Sequence, residues 1–186
     1  MFTRIARFLS MGLRKTSPED LNVQACIEKG MKVGKTCHGL AASTIDYAHC
    51  WLIEIGDNVT FAPQTYLLAH DASTKRYLNY TKISKIKIED NAFIGARALI
   101  MPGVTVGKNA IVAAGSIVTK SVPAGYVVGG NPAKEIAKTE EYINRHKANM
   151  DNAPVYDYQW TIGGNITPDM CNQMSKELDD AIGYVK

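Results

Sequence analysis

Read in sixes from Ile88, the chain gives IEDNAF, IGARAL, IMPGVT, VGKNAI, VAAGSI and VTKSVP. The first positions, Ile88, Ile94, Ile100, Val106, Val112 and Val118, are all aliphatic, and the fifth positions, Ala92, Ala98, Val104, Ala110, Ser116 and Val122, are all small. A helix repeats about every 3.6 residues and a half-buried strand every second residue, so neither produces this period. A solenoid of short strands does. Each hexad supplies one strand and one corner, with the aliphatic side chain turned inward and the small one fitting where the backbone bends. Three hexads then complete a turn. The residues between, as in GDN at 56–58 and GKN at 107–109, suit corners that need positive φ or side-chain bonds to the backbone. Ile55, Phe61 and Leu67 keep the same spacing, and Val33 and Ile45 stand twelve apart, so the coil is expected to start near residue 30.

The rhythm breaks once in an obvious way. Between Leu67 and Ile88 lie 21 positions where six would do, an excess of 15. The interruption predicts a loop protruding at about residues 69–86, with His70 at its entrance and Tyr77 and Tyr80 within it.

Composition bounds the rest. With 186 residues, 46% hydrophobic and 21% charged, the chain has the make-up of a globular domain with one continuous core. Its apolar runs fall short of the roughly 20 residues that span a bilayer, and arginines interrupt the opening MFTRIARFLSMGLRK too often for a signal-peptide core. A cytoplasmic protein is the expectation. Cys26, Cys37, Cys50 and Cys171 show no metal or disulfide spacing and read as reduced thiols. A net charge of +3 is too small to argue for nucleic acid.

Residues 1–29 read as an N-terminal helical extension, with Phe2, Ile5, Leu9 and Leu13 opposite Arg4, Arg7, Arg14 and Lys15. Such a stripe packs on the solenoid or, less in keeping with the rest, touches a membrane surface. After the coil at 30–132, residues 133–186 read as C-terminal helices capping the solenoid or packing on it. The first is an amphipathic helix over 133–149 carrying Ile136, Tyr142 and Ile143. The second starts with Thr167 as N-cap and Pro168 in the first turn, followed by an apolar stripe of Met170, Met174, Leu178 and Ile182.

The repeat resembles that of the hexapeptide-repeat acyltransferases over roughly residues 33–138. IGDNVTFAP, AHD, IGARALIMPGVTVGKNAIVAAGSIVTKSVP and GGNPAK are similar to the branch holding galactoside and maltose O-acetyltransferases and the sugar O-acetyltransferases of polysaccharide assembly. The resemblance implies an all-β solenoid, a left-handed parallel β-helix with helical extensions. It also implies acetyl-CoA as co-substrate, a sugar or glycan-precursor acceptor and a homotrimer whose grooves lie between subunits. His70 of the AHD motif matches the family's general base. The chemistry agrees, because a hydroxyl is a weak nucleophile at neutral pH and a positioned imidazole can take its proton. Asp71 could hold the imidazole tautomer, but neighbours on an extended backbone point to opposite sides, and a backbone carbonyl serves as well.

The donor residues carried over are Ala96, Ala114, Thr119 and Lys120, with Pro132 and Lys134 toward the adenine end. Small side chains let pantetheine run close to the backbone, and lysines meet phosphates. A backbone N–H near Ala96 would face the oxyanion. Lys134 stands where the family often has arginine, so bidentate geometry is lost there. The acceptor side departs further, since Leu40 and Ala48 occupy positions where galactoside acetyltransferases carry sugar-binding Asn and Asp. Galactosides are therefore disfavoured as acceptors, and Asp46, Tyr47, Asp71, Tyr77, His49 and Trp51 are the candidates for gripping a different sugar. Two other readings stay open. One is a zinc hydro-lyase like the γ-class carbonic anhydrases, which needs three histidines with two close in sequence; His38, His49, His70 and His146 do not offer that pair, and no metal is expected. The other is a noncatalytic scaffold.

Overall fold

The computed structural model describes residues 18–186, and the basic stripe between Phe2 and Lys15 lies outside them. Its first unit, which ends at Ala137, is built from three sheets whose strands up to Gly130 pair in parallel. The first sheet holds β1 (Lys32–Val33), β3 (Ile53–Ile55), β8 (Ile86–Ile88) and β11 (Thr105–Val106). The second holds β4 (Thr60–Phe61), β9 (Phe93–Ile94), β12 (Ile111–Val112), β14 (Tyr126–Gly130) and β15 (Ala133–Lys138). The third holds β2 (Thr44–Ile45), β5 (Tyr66–Leu67), β10 (Leu99–Ile100) and β13 (Ile117–Val118). From β3 to β13 the strands of these sheets follow one another in first, second and third sheet in rotation, so the chain winds as a three-sided coil.

Register explains the rhythm. Ile88 pairs with Val106, Ile94 with Val112 and Ile100 with Val118, each one turn of 18 residues apart. Stacked partners therefore share a hexad position, and every aliphatic first position falls on the inside. All six are buried, as are the small residues at the fifth positions. Ser116 is the polar member of that column, and it is satisfied: its Oγ donates to the Ala113 carbonyl at 2.7 Å and accepts from Gly130 N–H at 3.2 Å. Asn58, Asn91 and Asn109 all adopt positive φ at one corner, and Asn58 Nδ2 donates to Asn91 Oδ1 at 2.9 Å along that column. Ile94 is fully buried, so Ile94→Ala should lower stability by about 2–5 kcal/mol through lost burial and a cavity. Equilibrium urea unfolding measures this, and a change under 1 kcal/mol would contradict the inward register.

The first turn is closed by α1 (Pro18–Glu28). It stops where Gly30 takes φ 110° and Met31 N–H donates to the Cys26 carbonyl at 3.0 Å. Cys26 and Cys50 are buried, Cys171 is exposed, and all four cysteines are free thiols. Burial, with Cys50 beside it, pushes the Cys26 thiol up to about 12.

The helix expected over 133–149 is divided differently. Ala133–Lys138 forms β15 beside β14, and only Thr139–Met150 is helical, as α2. The open edge of β14 offers backbone partners that a local helical tendency cannot match, and Lys134 and Lys138 then populate an edge strand.

The second unit is Lys138–Lys186. In it β16 (Val155–Tyr156) and β17 (Tyr184–Val185) pair in parallel. Helix α3 (Pro168–Glu177) starts as the sequence predicts, with Thr167 Oγ1 accepting from Met170 N–H at 3.3 Å. It ends before the apolar stripe does. Met170, Met174 and Leu178 are half-buried, whereas Ile182 lies beyond the helix and is exposed. The chain turns back there to form β17, with Gly183 so close to Leu178 and Pro154 that a Cβ would approach Leu178 Cδ2 to 2.6 Å. Among the described residues no helix is long and apolar enough to cross a membrane.

Candidate active site

Two insertions meet at one corner of the coil, between the third and first sheets. The larger follows β5. It is a hairpin in which β6 (His70–Asp71) runs antiparallel to β7 (Lys82–Ile83), with a short helix at Lys75–Leu78 between them. The smaller follows β2. Val33 pairs with Ile55 and Ile45 with Leu67, a step of 22 residues in place of 18. The four extra residues are taken up in the six-residue 3₁₀ segment Tyr47–Leu52. Because Ile45 stacks on Leu67, both insertions leave the coil one above the other.

That stacking places Asp46 beside His70. Asp46 N–H donates to the Leu67 carbonyl at 3.0 Å, and its side chain turns inward, where Oδ2 accepts from Ala69 N–H at 3.0 Å and lies 2.5 Å from His70 Nδ1. The carboxylate accepts only, so Nδ1 carries the proton and Nε2 keeps a lone pair. Asp46 is 4% exposed, while the His70 side chain is 30% exposed. The orienting group is thus buried and the imidazole reaches solvent. A group able to remove a proton from an incoming hydroxyl is built this way.

By sequence, Asp46 and Asp71 are both candidates for gripping the acceptor, and Asp71 or a backbone carbonyl for holding the imidazole; in the structure Asp46 is the group bonded to His70 Nδ1. Asp71 caps the start of the hairpin, accepting from Ser73 N–H at 3.0 Å and pairing with Lys82 Nζ at 3.0 Å. Those bonds, the Ser73 N–H foremost, hold its carboxyl well below the usual carboxylate range. Tyr77 stands on the hairpin, 82% exposed. Tyr47 and Trp51 are each 50% exposed on the 3₁₀ segment.

His49 completes the cluster. Its ring centroid lies 5.0 Å from that of His70 and 5.5 Å from that of Trp51, and its Nδ1 is 3.8 Å from Asp46 Oδ1. Asp46, His49 and His70 each present one ligand atom within 4.8 Å of the others, the one such group of three or more among the described residues. The signal for Asp46 and His49 was present in the sequence, since Ile45 to Ile55 is ten residues where the rhythm allows six.

The donor-side residues fall into two groups. Ala96 and Ala114 are stacked at the corner between the second and third sheets, where Gly115 N–H donates to the Ala96 carbonyl at 2.8 Å. Gly95 lets the coils close up, since a Cβ there would meet Ala114 N at 2.5 Å. Thr119 and Lys120 are exposed where the chain leaves β13, at the His70 corner. Pro132, after a cis bond, and Lys134 are exposed at the start of β15. Lys120 and Lys134 line one open cavity of about 340 Å³ with Val118, Pro123, Val128 and Glu135. Ala96 and His70 lie at opposite edges of the third sheet.

Residues 85–120 match the family model of the hexapeptide repeat of succinyl-transferase. Over 134 residues the chain is 37% identical to CapG of Staphylococcus aureus, covering 69% of this chain and 78% of that protein. It is 37% identical over 121 residues to YvoF of Bacillus subtilis (strain 168), whose acetyltransferase activity is itself inferred, covering 65% of this chain and 68% of YvoF. The chain belongs to the hexapeptide-repeat acetyltransferases. Among solved structures of such acetyltransferases, the maltose O-acetyltransferase from Clostridium difficile 630 superposes with a TM-score of 0.51 at 26% identity, over 72% of this chain and 82% of that one. As a hexapeptide-repeat acetyltransferase the protein is an acyltransferase.

Proposed function

We propose that this acyltransferase moves an acetyl group from acetyl-CoA to a hydroxyl of a sugar or glycan precursor, with His70 as general base. The bond between Asp46 and His70 Nδ1 carries the reading, because it leaves Nε2 as the acceptor at an exposed corner. The acceptor hydroxyl gives its proton to Nε2 as its oxygen attacks the thioester carbonyl. A tetrahedral oxyanion forms, and a backbone N–H near Ala96 of an adjacent copy in the trimer proposed below faces it. Collapse breaks the carbon–sulfur bond, and the imidazolium returns the proton to the departing thiolate. The maltose O-acetyltransferase likeness supports a sugar acceptor.

The coil is read as left-handed, as in the family it joins, and the working form as a cytoplasmic homotrimer. His70 and Ala96 lie at opposite edges of one sheet, which favours a donor lying between neighbouring copies, held by Ala96, Ala114 and Thr119 along the pantetheine and by Lys120, Pro132 and Lys134 near the phosphates and adenine. Closed heterologous contacts then repeat the site three times. Light scattering that found an active 20.4 kDa monomer would overturn the trimer.

The activity is tested by free-thiol release from acetyl-CoA over a panel of free sugars, nucleotide sugars and glycan fragments, with mass spectrometry of the product. Acceptor-dependent thiol release and a gain of one acetyl group are expected. Lys120→Ala and Lys134→Ala should each raise KM for acetyl-CoA about tenfold, the scale of one lost charge-assisted bond, and leave KM for the acceptor alone. If neither variant alters donor KM, the groove is misplaced.

A further inference from the structure

An exposed tryptophan beside a candidate base calls for a reason, because indoles are large and highly buried on average. Trp51 leaves the coil at the end of the 3₁₀ insertion. Gly30 has no side chain at the point where a Cβ would lie 3.3 Å from Trp51 Cβ, so the end of α1 packs directly behind the indole's attachment. The start of the side chain is thereby fixed, although half the residue is open. In front of it His49 and then His70 follow in a row of ring contacts at 5.5 and 5.0 Å. Tyr47, on the same segment and equally open, has Lys29 Nζ 5.2 Å from its ring centre.

We infer that Trp51 is the stacking platform for a pyranose ring of the acceptor and the residue that makes a cyclic sugar the preferred substrate. The inference rests on the sugar-acceptor reading above. One face of a pyranose presents C–H groups and its rim presents hydroxyls, so the ring can cover an indole while its rim stays hydrated or hydrogen-bonded. With the sugar on Trp51, His49 lies between platform and base, and a rim hydroxyl is directed toward His70 Nε2. An acyclic polyol has the same hydroxyls without the flat face. The pre-set attachment of the indole reduces the ordering needed on binding. Tyr77, at the exposed hairpin, is not required for this grip.

The chain has two tryptophans, Trp51 and Trp160, so Trp160→Phe in the full-length protein leaves Trp51 as a single reporter. Titration with methyl pyranosides, without acetyl-CoA, should change its emission saturably for at least one of them, while sorbitol leaves it unchanged. In the otherwise native protein, Trp51→Ala should raise the acceptor KM about tenfold, the scale of one aromatic stacking contact, with KM for acetyl-CoA unchanged. Trp51→Phe should recover part of the loss. Unchanged acceptor KM in Trp51→Ala overturns the platform, as does sorbitol acting as well as a pyranoside. A change of oligomer mass in Trp51→Ala also overturns it and makes the indole a contact between copies. If the wild type acetylates no pyranoside, the sugar-acceptor reading itself fails, an outcome distinct from pyranosides being acetylated equally well without Trp51.

Discussion

His70→Ala is expected to lower acetyl transfer about 10²–10⁴-fold, the usual contribution of a positioned general base, while the protein stays folded and keeps acetyl-CoA binding. The separation of effects follows from where His70 sits. It lies three residues beyond the inward Leu67, its side chain is partly exposed, and it holds its hairpin through backbone pairing with Ile83, which alanine preserves. Donor affinity depends on the corner and cavity carrying Ala96, Lys120 and Lys134. Single-turnover rates, together with a binding titration of acetyl-CoA, measure both halves. A folded His70→Ala protein with near-wild-type turnover would falsify the general-base role.

Asp46→Asn should produce a loss of the same order in kcat, with both KM values close to wild type. Asparagine keeps the size of the side chain and can still accept from Ala69 N–H, so the fold tolerates it. Its oxygen at the place of Oδ2 can accept from His70 Nδ1 as well, but it carries no charge, so the imidazolium that forms as the base takes the proton loses its stabilising partner. Asp46→Ala should add a stability loss of about 1–3 kcal/mol, because Ala69 N–H and His70 Nδ1 lose their partner at a buried position. The KM outcome separates two roles for this residue. Were Asp46 a sugar-gripping carboxylate, as its place in the sequence suggested, the asparagine variant would raise acceptor KM and spare kcat.

The coil itself was legible because a three-sided solenoid imposes its period on every turn. Each first position in residues 88–118 faces inward, and a hydrophobic column has to recur wherever the geometry repeats. His70 stood out for the same reason, at the point where the repetition fails by 15 residues. The smaller failure, four residues between Ile45 and Ile55, carried Asp46, His49 and Trp51 and was equally present, but a short excess in a degenerate early turn is a weaker signal. Gly39, six residues after Val33, already stands where an aliphatic residue would otherwise mark the column.

What the linear chain could determine by itself was therefore period, inward face and the site of interruption, all of which are local consequences of side-chain size and spacing. Tertiary structure alone decided who stands beside His70. Asp71 is its neighbour in sequence but is turned into the hairpin, where Ser73 and Lys82 hold it, whereas Asp46 is 24 residues away and arrives because Ile45 stacks on Leu67. A hairpin with the preceding strand β14 turned Ala133–Lys138 into an edge strand, and the insertion after β2 placed Trp51 at the surface of the site in preference to the core. In a solenoid the chemically decisive neighbours lie one turn apart, and the length of that turn is known only after every insertion has been assigned to its corner.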